Sequence, residues 1–398
     1  MTRELVLSKR AIADLRGIWL DSFKAWAEAQ ADPTSTNSTP VCKSAKRSPG
    51  TAARGAARVQ RHSALGGTLV AVVSKPASTP RFPLLAVALA TGLAFTGGLL
   101  GVRTFGSYGS ALFLATPLLS GVLLGWLLKR GHGTTVFVAA VPLALLTLIL
   151  TFTLFLVSGE EGLICLLFAT PLVLALTLLG LGLGLALADA GSASASPASL
   201  GAVAGLPLLS TAALLPGAHV AERAFATPPG LREVKTSVLV DAPIARVWEV
   251  VIGFPRITAP PDLLSRLGIA YPVEATLDGE GVGAVRRCVF STGAFVEPIT
   301  RWEPPTLLAF DVEASPPPMK ELSFHEHVDA PHLSTAFVSK RGQFALRTLD
   351  DGRVLLEGTT WYTQGLSPEW YWGPITDHLI HRIHRRVLDH IAEVAAGR

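Results

Sequence analysis

The chain has 398 residues, of which 49% are hydrophobic and only 16% charged, with 34 Lys and Arg against 30 Asp and Glu. That length exceeds one small domain, and a formal net charge of +4 does not imply a nucleic-acid partner. Three cysteines, Cys42, Cys165 and Cys288, lie far apart, which fits neither a disulfide framework nor a zinc knuckle.

Residues 4–32, ELVLSKRAIADLRGIWLDSFKAWAEAQAD, read as a strand followed by an amphipathic helix. They resemble the start of ParE-type toxins, but the remainder of such a toxin does not follow and the fragment is too small to bury a core. A fusion relic, a misassigned start and a chance amphipathic helix all fit, and no toxin activity is expected. Residues 33–81 are rich in Ser, Thr, Pro and Ala and carry Lys43, Lys46, Arg47, Arg54, Arg58 and Arg61. A disordered basic linker is expected there.

A transmembrane region is expected at 82–220. The runs 83–102, 111–128, 134–157 and 163–188 each approach or exceed the ~20 residues that span a bilayer as helix, and 200–220 is a fifth, proline-interrupted run. These runs are almost free of charge, so no ion path is expected. Gly180, Gly182 and Gly184 favour close helix packing. The basic N-terminal arm and Lys129-Arg130 belong on the cytoplasmic side, and Glu160-Glu161 fits the other. Five spans then put the C-terminal domain on the outer, periplasmic face of a bacterial inner or plasma membrane; four would keep it inside.

From Lys235 the periodicity changes. Lys235–Val240 reads as a strand; Asp241-Ala242-Pro243 then opens a short helix carrying Val247, Trp248 and Val251, with the aspartate available as a cap. In Gly281–Phe310, period-2 alternation marks a strand at Ala284–Phe290, a second at Phe295–Trp302 and a third carrying Leu308, Phe310 and Val312. Pro298 marks a bulge or an edge. Ala314–Leu333 is a proline-rich connection. Gly342–Leu349 and Arg353–Thr363 form a hairpin about Asp351-Gly352, and a long helix follows at about Pro368–Ala396.

This order, with the stretches SVLVDAPIARVWEVV, GEGVGAVRRC and DGRVLLEGTTWY, resembles the SRPBCC superfamily of START-like and polyketide cyclase/dehydrase-like domains, over Leu231 to Gly397. The resemblance implies an α+β helix-grip domain at 231–398, behind an all-α transmembrane bundle. In that family an antiparallel sheet wraps around the last helix and leaves a mostly apolar cavity.

The expected cavity lining combines the aromatic residues Trp248, Phe290, Trp302, Phe310, Phe344, Trp361, Tyr362 and Trp372 with Arg286, Glu297, Ile383 and Val387. Any one of the aromatics could equally be ordinary core. A buried Arg286 needs a carboxylate or an anionic ligand as partner, and strand phase alone leaves open which face is inside. On the last helix, Ile380, Ile383, Val387, Ile391 and Val394 form the apolar stripe; His378, His381 and His384 spread too widely for one ion, Asp377 is placed to pair with His381, and Arg382, Arg385 and Arg386 read as a solvated face. His325, His327 and His332 with Glu321, Glu326 and Asp329 lack metal-ligand spacing. No metal or cofactor is expected, and the sequence singles out no catalytic residue.

The expected function is a membrane-anchored protein holding a hydrophobic small molecule or lipid beside the bilayer, with no nucleic-acid partner. The alternatives are a polyketide cyclase/dehydratase-like enzyme and a structural or regulatory membrane protein without ligand.

Overall fold

The computed structural model describes residues 81–106, 108–132, 135–190, 213–325, 328 and 337–397. The toxin-like fragment, the basic linker up to residue 80, Cys42, residues 200–212 of the fifth apolar run, and Glu326, His327, Asp329 and His332 lie outside the described residues.

Among the described residues four helices are long and apolar enough to cross a membrane: α1 (Phe82–Thr104), α2 (Ala111–Gly131), α3 (Phe137–Ser158) and α4 (Leu163–Asp189). Their bounds follow the four strongest apolar runs in the sequence. α2 and α4 approach backbone to backbone. A Cβ on Gly121 would stand 2.2 Å from the Thr177 carbonyl oxygen, and one on Gly180 2.1 Å from that of Leu118. Gly125 and Gly184 repeat the arrangement one turn along, against Leu181 and Val122. Small residues four apart on both helices allow this contact. Gly182 faces the Phe137 ring instead.

At one end of the bundle Lys129 pairs with Asp189 at 3.1 Å; at the other Arg103 pairs with Glu160. A further helix, α5 (213–224), packs along α1. Leu215 lies against Gly97, and His219 lies against Gly101 and stacks on Phe105. Glu222 then accepts hydrogen bonds from the amides of Ser110 and Ala111, where α2 begins. The chain therefore stands at the Lys129 end at Asp189 and at the Arg103 end by Glu222.

The C-terminal domain follows as β1 (Leu231–Val240), α6 (Ile244–Ile252), α7 (Leu263–Arg266), β2 (Pro272–Asp278), β3 (Val285–Phe290), β4 (Gly293–Glu303), β5 (Leu307–Asp311), β6 (Phe337–Thr348), β7 (Val354–Gln364) and α8 (Glu369–Ala395). The strands form one antiparallel sheet in the order β1-β7-β6-β5-β4-β3-β2. The sheet curls around α8, giving the helix-grip arrangement. Gly352, at φ +83°, supplies the left-handed turn between β6 and β7. Pro298 stands next to a register shift between Ile299 and Arg301, where the missing amide costs least.

Two local expectations change. α6 is capped by Pro243 with no side-chain hydrogen bond, so Asp241 does not cap it. β6 begins at Phe337, five residues before the first alternating glycine, because its pairing with β7 extends to Phe337↔Gln364. The core places Val387, Leu388 and Ile391 of α8 against Val247 and Val251 of α6 and Leu308, Leu346 and Leu356 of the sheet. Ile380 packs separately with Val234 and Tyr362.

Candidate binding site

Antiparallel register decides what strand phase left open. Arg286 of β3 stands directly across from Glu297 of β4. Both side chains face inward, Arg286 with 1% of its surface exposed and Glu297 with 6%, and Arg286 Nη1 donates to Glu297 Oε2. The guanidinium carbon lies 5.4 to 5.7 Å from the ring centres of Phe344, Phe310 and Phe254. At that range the rings offset part of the lost hydration through cation–π attraction. Burial drives the Glu297 carboxyl up from its ordinary range, and Arg286 opposes that shift.

This pair lines an inner chamber of about 110 Å³ between the sheet and α8. Phe290, Phe310, Phe344, Ile383 and Val387 supply its apolar wall. Arg286 Nε and Nη2 have no oxygen acceptor among the described residues, and the Thr359 hydroxyl has no partner there either. These polar groups line an otherwise apolar space. Cys288, two residues from Arg286 on the same strand face, also lines it. Burial, then the Glu297 charge, pushes its thiol up to about 12. His384 lines the chamber from α8, with Nδ1 at 3.0 Å from Thr236 Oγ1 and Nε2 at 2.8 Å from Thr360 Oγ1. Burial, then the nearby His381, lowers its imidazole to about 4. At neutral pH the thiol is protonated and the imidazole is neutral.

Phe290, Phe295, Phe337, Ile380 and Ile383 also line a second, outer chamber of about 220 Å³ on the side of the helical bundle. The bundle closes the mouth of the grip. Glu321 accepts from the amides of Ile164 (3.0 Å) and Cys165 (3.2 Å), capping α4, and the Leu163 amide donates to the Leu322 carbonyl at 2.9 Å. His325 Nε2 donates to the Val157 carbonyl at 2.9 Å. The Ser367 amide donates to the Tyr108 carbonyl at 3.0 Å, and Tyr371 Oη to the Phe168 carbonyl at 2.6 Å. Trp372 packs on Phe113 of α2, ring centres 4.9 Å apart.

The structure thus brings together Arg286, Phe290, Glu297, Phe310, Phe344, Ile383 and Val387 around the inner chamber, and Trp372 at the outer one. The other four residues stand elsewhere. Trp248 and Trp302 pack edge to face at 5.4 Å in the core around α6. Trp361 turns outward, donating to Glu233 at 2.9 Å and lying under Arg341. Tyr362 is buried with its hydroxyl between Asp377 and Arg232. Aromatic content alone does not tell the two faces of the sheet apart; the tertiary structure does.

Three polar readings also change. Asp377 pairs with Arg232, at 2.6 Å, and not with His381, because β1 carries Arg232 alongside α8. His381 shares Thr236 Oγ1 with His384. Arg386 is not simply solvated: it donates to the carbonyls of Ala259, Pro260 and Pro272 and covers the Tyr271 ring. The sequence did not single out Cys288 or Thr359, although the phase of β3 links Cys288 to Arg286. The bundle residues of the outer chamber had no signal at all, since they read as ordinary membrane-span residues. Among the described residues no group of three His, Cys, Asp or Glu is placed to hold a metal.

No family model matches the chain, and no curated protein matches it. Solved structures share the helix-grip arrangement at low similarity. The Zhui aromatase/cyclase from Streptomyces sp. R1128 is 18% identical, over 42% of this chain and 94% of its own, with a TM-score of 0.29. Truncated norcoclaurine synthase from Thalictrum flavum is 13% identical, over 44% of this chain and 98% of its own, with a TM-score of 0.28. Ara h 8.0201 is 10% identical, over 42% of this chain and all of its own, with a TM-score of 0.26. These are distant likenesses that cover less than half of this chain.

Proposed function

We propose that the protein is a membrane-anchored binding protein whose C-terminal domain holds a hydrophobic small molecule or lipid. The observation that carries this reading is the pair of adjoining apolar chambers, of about 220 and 110 Å³, with Arg286 and Thr359 presenting unpaired polar atoms to the inner one. Their joint size reaches the ~300 Å³ at which small-molecule sites begin.

The test is mass spectrometry of the organic extract from the full chain purified out of a lipid-containing host, beside the variant Val312→Trp. Val312 is half-buried and lines the inner chamber, so the larger ring fills that space. A defined hydrophobic species in the wild-type extract, lost in the folded variant, is the expected result. The same bulk lipids in equal amounts from both proteins would overturn the reading.

In the same proposal the four apolar helices and α5 anchor the domain in a bacterial inner or plasma membrane, with the domain on the outer face. Supporting this, Lys129 and Arg130 lie at the bundle end opposite the domain, and Glu222 reaches the domain end. Reporter fusions at residue 80 and at the C-terminus should report opposite compartments; the same compartment for both would exclude this orientation.

A further inference from the structure

The outer chamber does not stop at the edge of the bundle. It continues between the helices as far as Ser120, Thr147 and Thr177. Counted along α4 at 1.5 Å per residue, Thr177 lies about 20 Å from the docked end, some two-thirds of a ~30 Å hydrocarbon core. The threonines on this wall leave it apolar. Thr147, Thr151 and Thr177 donate to the carbonyls of Leu143, Thr147 and Val173, one turn back in their own helices. Toward the domain only shared side chains, Phe290, Phe295 and Ile383 among them, separate this space from the inner chamber. Phe290 and Phe295 meet edge to face at 4.8 Å, so ring rotation alone alters the opening.

One strongly polar spot lies where bundle and domain meet. Glu161 lines the outer chamber, 8% exposed, and is hydrogen-bonded to Tyr108. Glu160, paired with Arg103, Glu321, bonded to the amides at the start of α4, and Cys165 are the other titratable groups around it. Burial first, and then the charges of Glu321 and Glu160, push the Glu161 carboxyl up to about 8, against the Tyr108 hydrogen bond. Three carboxyl groups, Glu160, Glu161 and Glu321, thus gather at the neck, with Glu161 on the chamber wall, which disfavours an anionic ligand head.

We propose that the domain cavity and the bundle interior form one composite site, which takes a membrane-dissolved amphiphile with a neutral hydrogen-bonding head and is reached from the membrane side. This rests on the ligand-binding reading above and adds the route and the head chemistry.

The test uses the full chain in lipid nanodiscs with hexadecanol carrying a terminal diazirine, mapping the photolabel by mass spectrometry. Label is expected on Leu379–Ile383 of α8, and on cavity-facing Thr151 and Ala169 in preference to lipid-facing Ile149 and Leu167, which are 60% and 54% exposed. Ala169→Phe narrows the bundle passage and should abolish labelling of α8, whereas Leu167→Phe should leave it unchanged. Thr151→Phe is the second blocking variant, and thermal unfolding confirms that each is folded. Unlabelled hexadecanol should compete, and palmitate should compete far less at neutral pH. Undiminished α8 labelling in a folded blocking variant, or equal label on cavity-facing and lipid-facing positions, would overturn the composite site. The ligand-binding reading would then still stand on the extract experiment. Equal competition by palmitate would overturn the neutral head.

Discussion

Replacing Glu297 with Gln removes the carboxylate hydrogen-bonded to Arg286 while leaving the guanidinium 1% exposed among three phenylalanine rings. Breaking a buried pair in this way typically costs about 3–5 kcal/mol, because a buried charge is left uncompensated. Cation–π attraction was present before and after, so it does not offset the change, although amide–guanidinium hydrogen bonding returns ~1 kcal/mol. A net loss of about 2–4 kcal/mol is a large share of a domain stability of ~5–15 kcal/mol. Removing both charges as Arg286→Met with Glu297→Leu should cost less than Glu297→Gln alone, since apolar replacements of similar volume avoid two desolvation penalties. The assay is urea unfolding of residues 231–398 followed by tryptophan fluorescence, since the principal core is built wholly from residues 240–395. A double variant whose loss equals the sum of the two single losses would refute the pair as a coupled unit. So would a Glu297→Gln loss below about 0.5 kcal/mol, the size of an ordinary surface change.

His384 makes the domain acid-sensitive. Its folded value of about 4 lies below its unfolded one, so the unfolded chain takes up the proton first and stability is full above pH ~6.5 and falls toward pH ~4. The loss reaches up to about 3 kcal/mol, and His384→Gln should flatten it; an unchanged pH profile in that variant would assign the sensitivity elsewhere. In the bundle, Gly180→Leu places a side chain where a Cβ already meets the Leu118 carbonyl at 2.1 Å, whereas Gly182→Ala meets only Phe137 at 3.7 Å. Thermal unfolding of the full chain in detergent should drop sharply for the first and little for the second; equal effects would contradict the packing. On α8, Ile391→Asp buries a carboxylate at a fully buried position and should unfold the domain, while Arg385→Ala, 58% exposed beside Asp389, should cost under about 0.5 kcal/mol. A circular-dichroism melt distinguishes them, and an unchanged Ile391→Asp midpoint would mean that the helix does not fill the grip.

Much of this architecture is local, and so was legible in the sequence. Apolar runs of about 20 residues mark α1 to α4, since a helix satisfies its own backbone and needs no partner to be recognised. Period-2 alternation marks β3, and the Ile380 to Ile391 spacing marks the buried face of α8, because each pattern reflects the geometry of one element. What the tertiary structure alone decided is which elements face each other. Cross-strand register joined Arg286 to Glu297, and the curl of the sheet turned Trp361 outward while keeping Phe344 inward. Packing of α5 on α1 brought Glu222 to the domain end of the bundle. The docking of Glu321 on α4 and Tyr371 on Phe168 brought two separately readable halves into contact around one apolar space. A cavity is made of surfaces from residues far apart in the chain, and no periodicity within any one segment encodes the distance between them.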